Sequence, residues 1–261
     1  MILALTPFFC AKMVESVTLG NLACQNNSYL RTLETSIVEI VPSEEVEEGC
    51  LDVMLQDTVF FPTGGGQPND IGTITVAGGH EIFQVVDVFR AKEGNQAIHR
   101  VKLRDVEVEG KLMIGTKVRC DIDWQRRFDH MQQHSGQHVI SAIAEERFGI
   151  ETMSWALGLE RCTVDLKVPK NVDANWIESL ETFTNQVIKD ARPVSLVIQK
   201  PSDVDDEHSR KTAKDAPYES DFQRVIKIDG IDSCLCCGTH VTNTHELSAS
   251  ISTLLQSLHA T

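Results

Sequence analysis

Between residues 36 and 124 the apolar positions come in short runs cut by Gly, Pro and charged side chains. The run at 36–41 ends at Pro42, the run at 51–61 ends at Pro62, and those at 71–76 and 82–89 are separated by Gly78 and Gly79. Val118, Cys120, Ile122 and Trp124 then alternate with Arg119, Asp121 and Asp123, the period-2 signature of a half-buried strand. Short strands with this punctuation predict a small barrel or sandwich. The pattern changes after Trp124. Residues 126–148 contain no Pro and predict a long helix, weakened locally at Ser135-Gly136 and stopped at Gly149. A second helix is predicted from Asn175 as N-cap, with Glu178 completing a box-like start. Its positions Ile177, Leu180, Thr184, Val187 and Ile188 keep helical spacing, and Pro193 lies beyond its end. Strand-like runs at 162–168, 194–199 and 225–228 surround these helices.

The expected fold class is therefore α+β: an extension over 1–20, a small barrel or sandwich over 21–120 and an α+β domain over 121–261. A chain of 261 residues suits one large or two modest domains, and 41% hydrophobic with 24% charged residues is ordinary globular composition. No apolar run approaches the ~20 residues that span a bilayer, so no membrane association is expected. Residues 1–10 hold Pro7 and lack a basic leader, which reads as an ordinary N-terminus and not a signal peptide. The acidic stretches at 44–48 and 203–207 read as solvated loops.

The net charge of −14 argues against an indiscriminate grip on nucleic acid, which runs on phosphate neutralisation. Between Arg100 and Arg127, however, eight basic residues against five acidic ones leave a local +3, equally compatible with a solvated strand pair and with a binding face. Eight cysteines in a chain of this length are too sparse for a disulfide scaffold. Without a secretory leader the expected compartment is reducing, the cytoplasm. Cys234, Cys236 and Cys237 then read as metal or redox chemistry before they read as a staple.

His134 and His138 stand four residues apart, on one face of the predicted helix, where two imidazoles can chelate one ion. His130 extends the step but reads equally as a surface or core histidine, and is left outside the set. Far downstream, the segment from Cys234 to His240 presents a thiolate and an imidazole four residues apart in a Gly-containing loop. Two half-sites of mixed imidazole and thiolate ligands suit Zn²⁺; the competing reading is a buried thiol cluster without metal. Ser135 follows His134, so the carboxylate base of the His-Glu-x-x-His proteases is missing. The other conspicuous segment, 60–70, carries Gly64, Gly65, Gly66 and Gln67. It is neither a P-loop nor a dinucleotide fingerprint, so no nucleotide cofactor is expected, and alone it reads as a tight strand connection.

Taken in order, the Gly-Gly-Gln loop, His134–His138 and Cys236-Cys237-Gly238-Thr239-His240 resemble the editing domain of alanyl-tRNA synthetases and its free-standing AlaX-type relatives, the animal form above all. The run from Arg126 to His138 is especially similar to that form. The resemblance implies that the domain over 21–120 is β-barrel-like and is followed by an α+β editing domain. It implies one Zn²⁺ held by His134, His138, Cys236 and His240. It implies hydrolysis, in trans, of the ester joining serine, or glycine, to tRNA(Ala), so that mischarged tRNA(Ala) is the partner. Gly64, Gly65, Gly66, Gln67, Gln137, Ser154 and Thr239 would border the substrate, and Arg126 and Arg127 would contact acceptor-stem phosphates. No catalytic residue beyond the metal site is assigned. The resemblance also leads to an expectation of further strands and a helical region after Thr261, so the chain reads as truncated at its C-terminus. A non-catalytic zinc-binding module is the alternative.

Overall fold

The computed structural model describes residues 22–41, 49–91, 96–103, 111–159, 161–200, 202 and 223–247. The N-terminal extension, Cys10, both acidic loops, Arg104 and the C-terminal tail lie outside the described residues. Strands β1 (Thr32–Ile40), β2 (Cys50–Leu55), β3 (Gly72–Val76), β4 (Ile82–Arg90), β5 (Ala97–Lys102) and β6 (Lys117–Ile122) close into a barrel in the order β1-β2-β5-β4-β3-β6. All neighbours pair antiparallel, and closure leaves no open sheet edge. Ile37, Val53, Ile74, Val88, Val101 and Cys120 point inward at 0–1% exposure, the alternation that the period-2 pattern requires.

Two expectations need correction here. The run at 51–61 is strand only to Leu55, because the Asp57 carboxylate accepts hydrogen bonds from Ala23 N and Thr58 N and turns the chain out of the ladder. Trp124 does not end β6 but opens the long helix: Asp123 accepts a hydrogen bond from Arg126 N as its N-cap. The last barrel strand ends at Ile122, two residues before the helix begins.

After a one-turn helix α1 (Ala23–Asn26) and the barrel come α2 (Trp124–Phe148), the β7–β8 hairpin (Glu151–Leu157, Cys162–Lys167) and α3 (Trp176–Lys189). Strands β9 (Val194–Gln199), β10 (Gln223–Ile228) and β11 (Asp232–Leu235) then form a three-stranded sheet in the order β11-β10-β9. Gly149 ends α2 at φ 63°, a left-handed C-cap that glycine adopts without strain. The start of α3 differs from the expected box. Asn175 makes no side-chain cap; instead the Asp173 carboxylate accepts from Asn175 N. Met131, Val139, Ala144, Ile150, Leu180, Ile226 and Ile228 form a second core between α2, α3 and the sheet.

The two halves are stitched by buried polar bonds. Arg127 of α2 donates to Asp70 beyond the Gly-rich loop, to Ser28 O at 2.9 Å and to Val59 O at 2.7 Å. Gln25 donates to Cys237 O at 2.7 Å, and Arg224 of β10 donates to both Gln25 O and Cys236 O.

Candidate metal centre

Helix α2 carries His134 and His138 one turn apart, with ring centroids 5.3 Å from each other. The loop after β11 brings His240 to 4.5 Å from the His134 ring and 4.8 Å from the His138 ring. Cys236 Sγ lies 3.4 Å from His134 Nε2 and 3.3 Å from His240 Nε2. One donor atom from each of the four residues falls within 4.8 Å of the others, and all four side chains are buried. Ligands around a tetrahedral zinc stand about 3.5 Å apart, given metal–ligand lengths of about 2.0–2.3 Å.

The direction of each ring is fixed from outside. Thr239 N is an obligate donor and lies 3.0 Å from Gln67 Oε1, which sets the orientation of that amide. Gln67 Nε2 then donates to Thr239 Oγ1 at 2.8 Å, and Gln67 Oε1 also accepts from His134 Nδ1 at 2.9 Å. His134 must therefore carry its proton on Nδ1, leaving a bare Nε2 lone pair facing Cys236. His138 Nδ1 donates in the same way to Asp232 at 3.0 Å, and His240 Nδ1 pairs with Ser135 Oγ at 3.1 Å. Outer partners that hold Nδ1 and free Nε2 are the usual support of metal-bound imidazoles. Burial and the neighbouring imidazoles hold His134 and His240 well below the ordinary histidine value, so both stay neutral. Gly238 N donates to Cys236 Sγ at 3.4 Å. A Cβ at Gly238 would stand 2.2 Å from His134 Cε1, so only glycine lets the loop approach the ring. The donor set, its burial and its supports fit a metal ion, and three imidazoles with one thiolate suit Zn²⁺.

The Gly-rich loop makes a two-residue turn: Gly64 and Gln67 exchange both backbone hydrogen bonds, around Gly65 at φ 56° and Gly66 at φ 80°. Such a turn requires positive φ at both central residues, which glycine supplies. Gly66 also packs on the Trp155 indole, where a Cβ would stand 2.5 Å from Nε1. The turn delivers Gln67 into the interior at 0% exposure. Gln67 and Thr239, expected at the substrate, thus bond each other, and Gln67 also bonds the His134 ring. Gln137 is 2% exposed and donates to Ser141 Oγ at 2.8 Å. Ser154 of β7 bonds across the hairpin to Asp165.

Within the basic stretch, several side chains are paired inside the chain. Arg100 is spent on Asp52, Lys111 on Glu81 and Arg119 on Asp121. Arg127, expected at tRNA phosphates, is 0% exposed and pairs with the equally buried Asp70, so it presents no surface to a phosphate. Arg126 is half-buried, its Nε donating to Asn69 O at 3.0 Å. Sequence reasoning missed Asp232, Ser135 and Arg224. Each acts on a residue far along the chain, and no local motif marks them.

Residues 15–126 match the family described as tRNA synthetases class II (A), and residues 223–250 match the threonyl and alanyl tRNA synthetase second additional domain. The alanyl-tRNA editing protein Aarsd1 of Rattus norvegicus is 39% identical over 234 residues, 86% of this chain and 52% of that protein. The putative alanyl-tRNA editing protein alaX of Saccharomyces cerevisiae is 31% identical over 257 residues, 89% of this chain and 54% of its own length. The alanyl-tRNA editing protein AlaX-L of Pyrococcus horikoshii is 30% identical over 222 residues, 84% of this chain and 50% of its own length. The chain spans about half the length of the curated relatives it matches.

Proposed function

The chain belongs to the family of alanyl-tRNA editing proteins, and we propose that it is itself a trans-editing deacylase acting on mischarged tRNA(Ala), chiefly the seryl ester and also the glycyl one. A synthetase pocket shaped for a methyl group rejects a side chain with one added hydroxyl only weakly, so a second, hydrolytic sieve is needed for fidelity. An aminoacyl ester is already activated. Holding it against an ordered water and stabilising the developing oxyanion supply most of the acceleration such a sieve requires.

In this reading His134, His138, Cys236 and His240 hold one Zn²⁺. Held by these four side chains, the ion would supply a charged anchor for the surrounding loops. Gln67, Asp232 and Ser135 hold the three rings in register. The reading places the protein where tRNA is charged, in the cytoplasm.

One observation carries it: the Gln67 amide joins the Gly-rich loop, the α2 histidines and the Cys236–His240 loop in a single buried knot. These are the three segments on which the family resemblance stands. The test is deacylation of Ser-tRNA(Ala), Gly-tRNA(Ala) and Ala-tRNA(Ala) by zinc-loaded protein. The expected outcome is loss of serine and glycine, sparing of alanine, and no activity in Cys236→Ala. Stoichiometric zinc with every ester intact would establish the non-catalytic module instead.

A further inference from the structure

A cavity of about 630 Å³ runs along the first two turns of α2. Its walls include two carboxylates, Asp123 and Asp129, beside Trp124, Arg126, Phe128 and His130. The size falls in the range of about 300–1,000 Å³ usual for small-molecule sites. None of these residues belongs to the four-donor group, yet His130 stands only one helical turn before His134.

The lining is chemically mixed in a specific way. Trp124 and Phe128 give aromatic surface, their centroids 5.5 Å apart, and the Arg31 guanidinium backs the Trp124 ring at 4.1 Å. Arg126 brings a cation whose Nε is already used on Asn69 O. Asp129 brings a carboxylate that accepts from Gln133. His130 is 2% exposed, and its buried Nδ1 has no hydrogen-bond partner among the described residues. His99 shows what a purely structural histidine looks like in this molecule. It is equally buried, but its two nitrogens bond Thr58 Oγ1 at 2.8 Å and Val53 O at 3.2 Å. Buried polar atoms are normally satisfied, and of the buried side-chain atoms without a hydrogen-bond partner among the described residues, which include Gln137 Oε1 and Thr184 Oγ1, His130 Nδ1 is the one at this cavity.

Aromatic faces, one cation and hydrogen-bonding groups for hydroxyls are together the requirements of a nucleotide: base, phosphate and ribose. We propose that this cavity seats the terminal nucleotide of the tRNA acceptor end, with His130 contacting the ribose and Arg126 the phosphate. The inference rests on the trans-editing reading and extends it, since it gives the nucleoside side of the ester to residues outside the metal group. Burial and the charges of Arg126 and Arg127 push His130 down to about 4, so near neutral pH its ring offers one donor and one acceptor, as a hydroxyl requires.

The test uses the full zinc-loaded chain with AMP, adenosine and inorganic phosphate as probes, read by calorimetry, alongside Ser-tRNA(Ala) kinetics. Wild type should bind AMP. His130→Ala should weaken AMP and adenosine by about tenfold and raise KM by a similar factor, with kcat less affected and zinc content unchanged. His130→Gln, which keeps a donor and an acceptor, should recover part of the loss. Arg126→Gln should weaken AMP but leave adenosine alone. No AMP binding at millimolar concentration overturns the proposal. So does phosphate competing as well as AMP, or identical binding and KM in zinc-containing His130 variants. Nucleotide binding that depends on His130, in a chain that deacylates no tRNA, would retain the cavity assignment and remove the editing reading.

Discussion

Arg127 and His134 lie on one stripe of α2, and each sits at the centre of a completely buried polar assembly. The two assemblies are opposites. Around Arg127 every strong group is answered: the guanidinium meets the Asp70 carboxylate and two backbone carbonyls, and Asp70 also accepts from Phe61 N at 2.7 Å. Around His134 the outward nitrogens are answered, while the inward lone pairs of Nε2 and Sγ face one another at 3.3–3.4 Å. A thiol proton can bridge Cys236 to one imidazole at a time, whereas a cation binds all the lone pairs that converge there. Burial therefore does not separate a structural knot from a site in this molecule. The convergence of four donor atoms on one point does.

The strongest way to break this comparison is to remove the cation or one of its donors. Cys236→Ala is expected to abolish stoichiometric zinc binding. Because structural zinc contributes folding free energy directly, it should lower Tm on the order of 10 °C. A chelator should bring wild type down to the variant and leave the variant unmoved in a thermal scan. Equal Tm values before chelation would show that the cluster, like Arg127, needs no ion. Next in size is Arg127→Ala, which strands a buried carboxylate and should cost about 3–5 kcal/mol in urea unfolding.

The barrel histidine His99 provides a third contrast, a saturated imidazole with no site to serve. Burial pushes it from 6.5 to about 4. The folded state then binds fewer protons than the unfolded chain, so stability is full above pH 6.5 and is lost as pH falls towards 4. The loss should approach 3 kcal/mol, about 1.4 kcal/mol per pH unit. His130 shifts the same way and adds loss in the same window. Urea unfolding from pH 7 to 4.5 should show the decline, and His99→Gln should flatten it.

Legibility in the sequence followed the same divide between local and distant causes. Five of the six barrel strands were readable because their apolar residues cluster or alternate. β5 was not, since its inward His99 and its neighbour Arg100 look polar until Thr58 and Asp52 answer them from elsewhere. Both histidine and cysteine half-sites stood out by spacing. Their supports did not: Gln67 meets His134 across 67 residues, Asp232 meets His138 across 94, and Ser135 meets His240 across 105. Gln67 itself was visible, though as a residue bordering substrate. Its expected role as a support is tested by Gln67→Leu, which should weaken zinc affinity by about 10–100-fold in competition with a chromogenic chelator. Unchanged affinity would mean that the ring holds its direction without the amide.

The smallest expected effect is the sharpest on sequence reading. Arg126 and Arg127 are adjacent and chemically identical, and both were assigned to phosphate. Their positions on the helix differ by about 100°, which puts one beside the cavity and the other under the barrel. Arg126→Ala should leave unfolding free energy within about 0.5 kcal/mol of wild type, because its one backbone bond is at a half-buried position. It should nevertheless reduce the salt slope of tRNA binding by about one. Arg127→Lys should do the reverse. It keeps the charge but loses the fork that reaches Asp70, Ser28 and Val59 together, so stability falls while the salt slope of the folded fraction stays. If both substitutions move the salt slope equally, the buried pair opens to bind RNA, and the contrast between a closed knot and an open site on α2 does not hold.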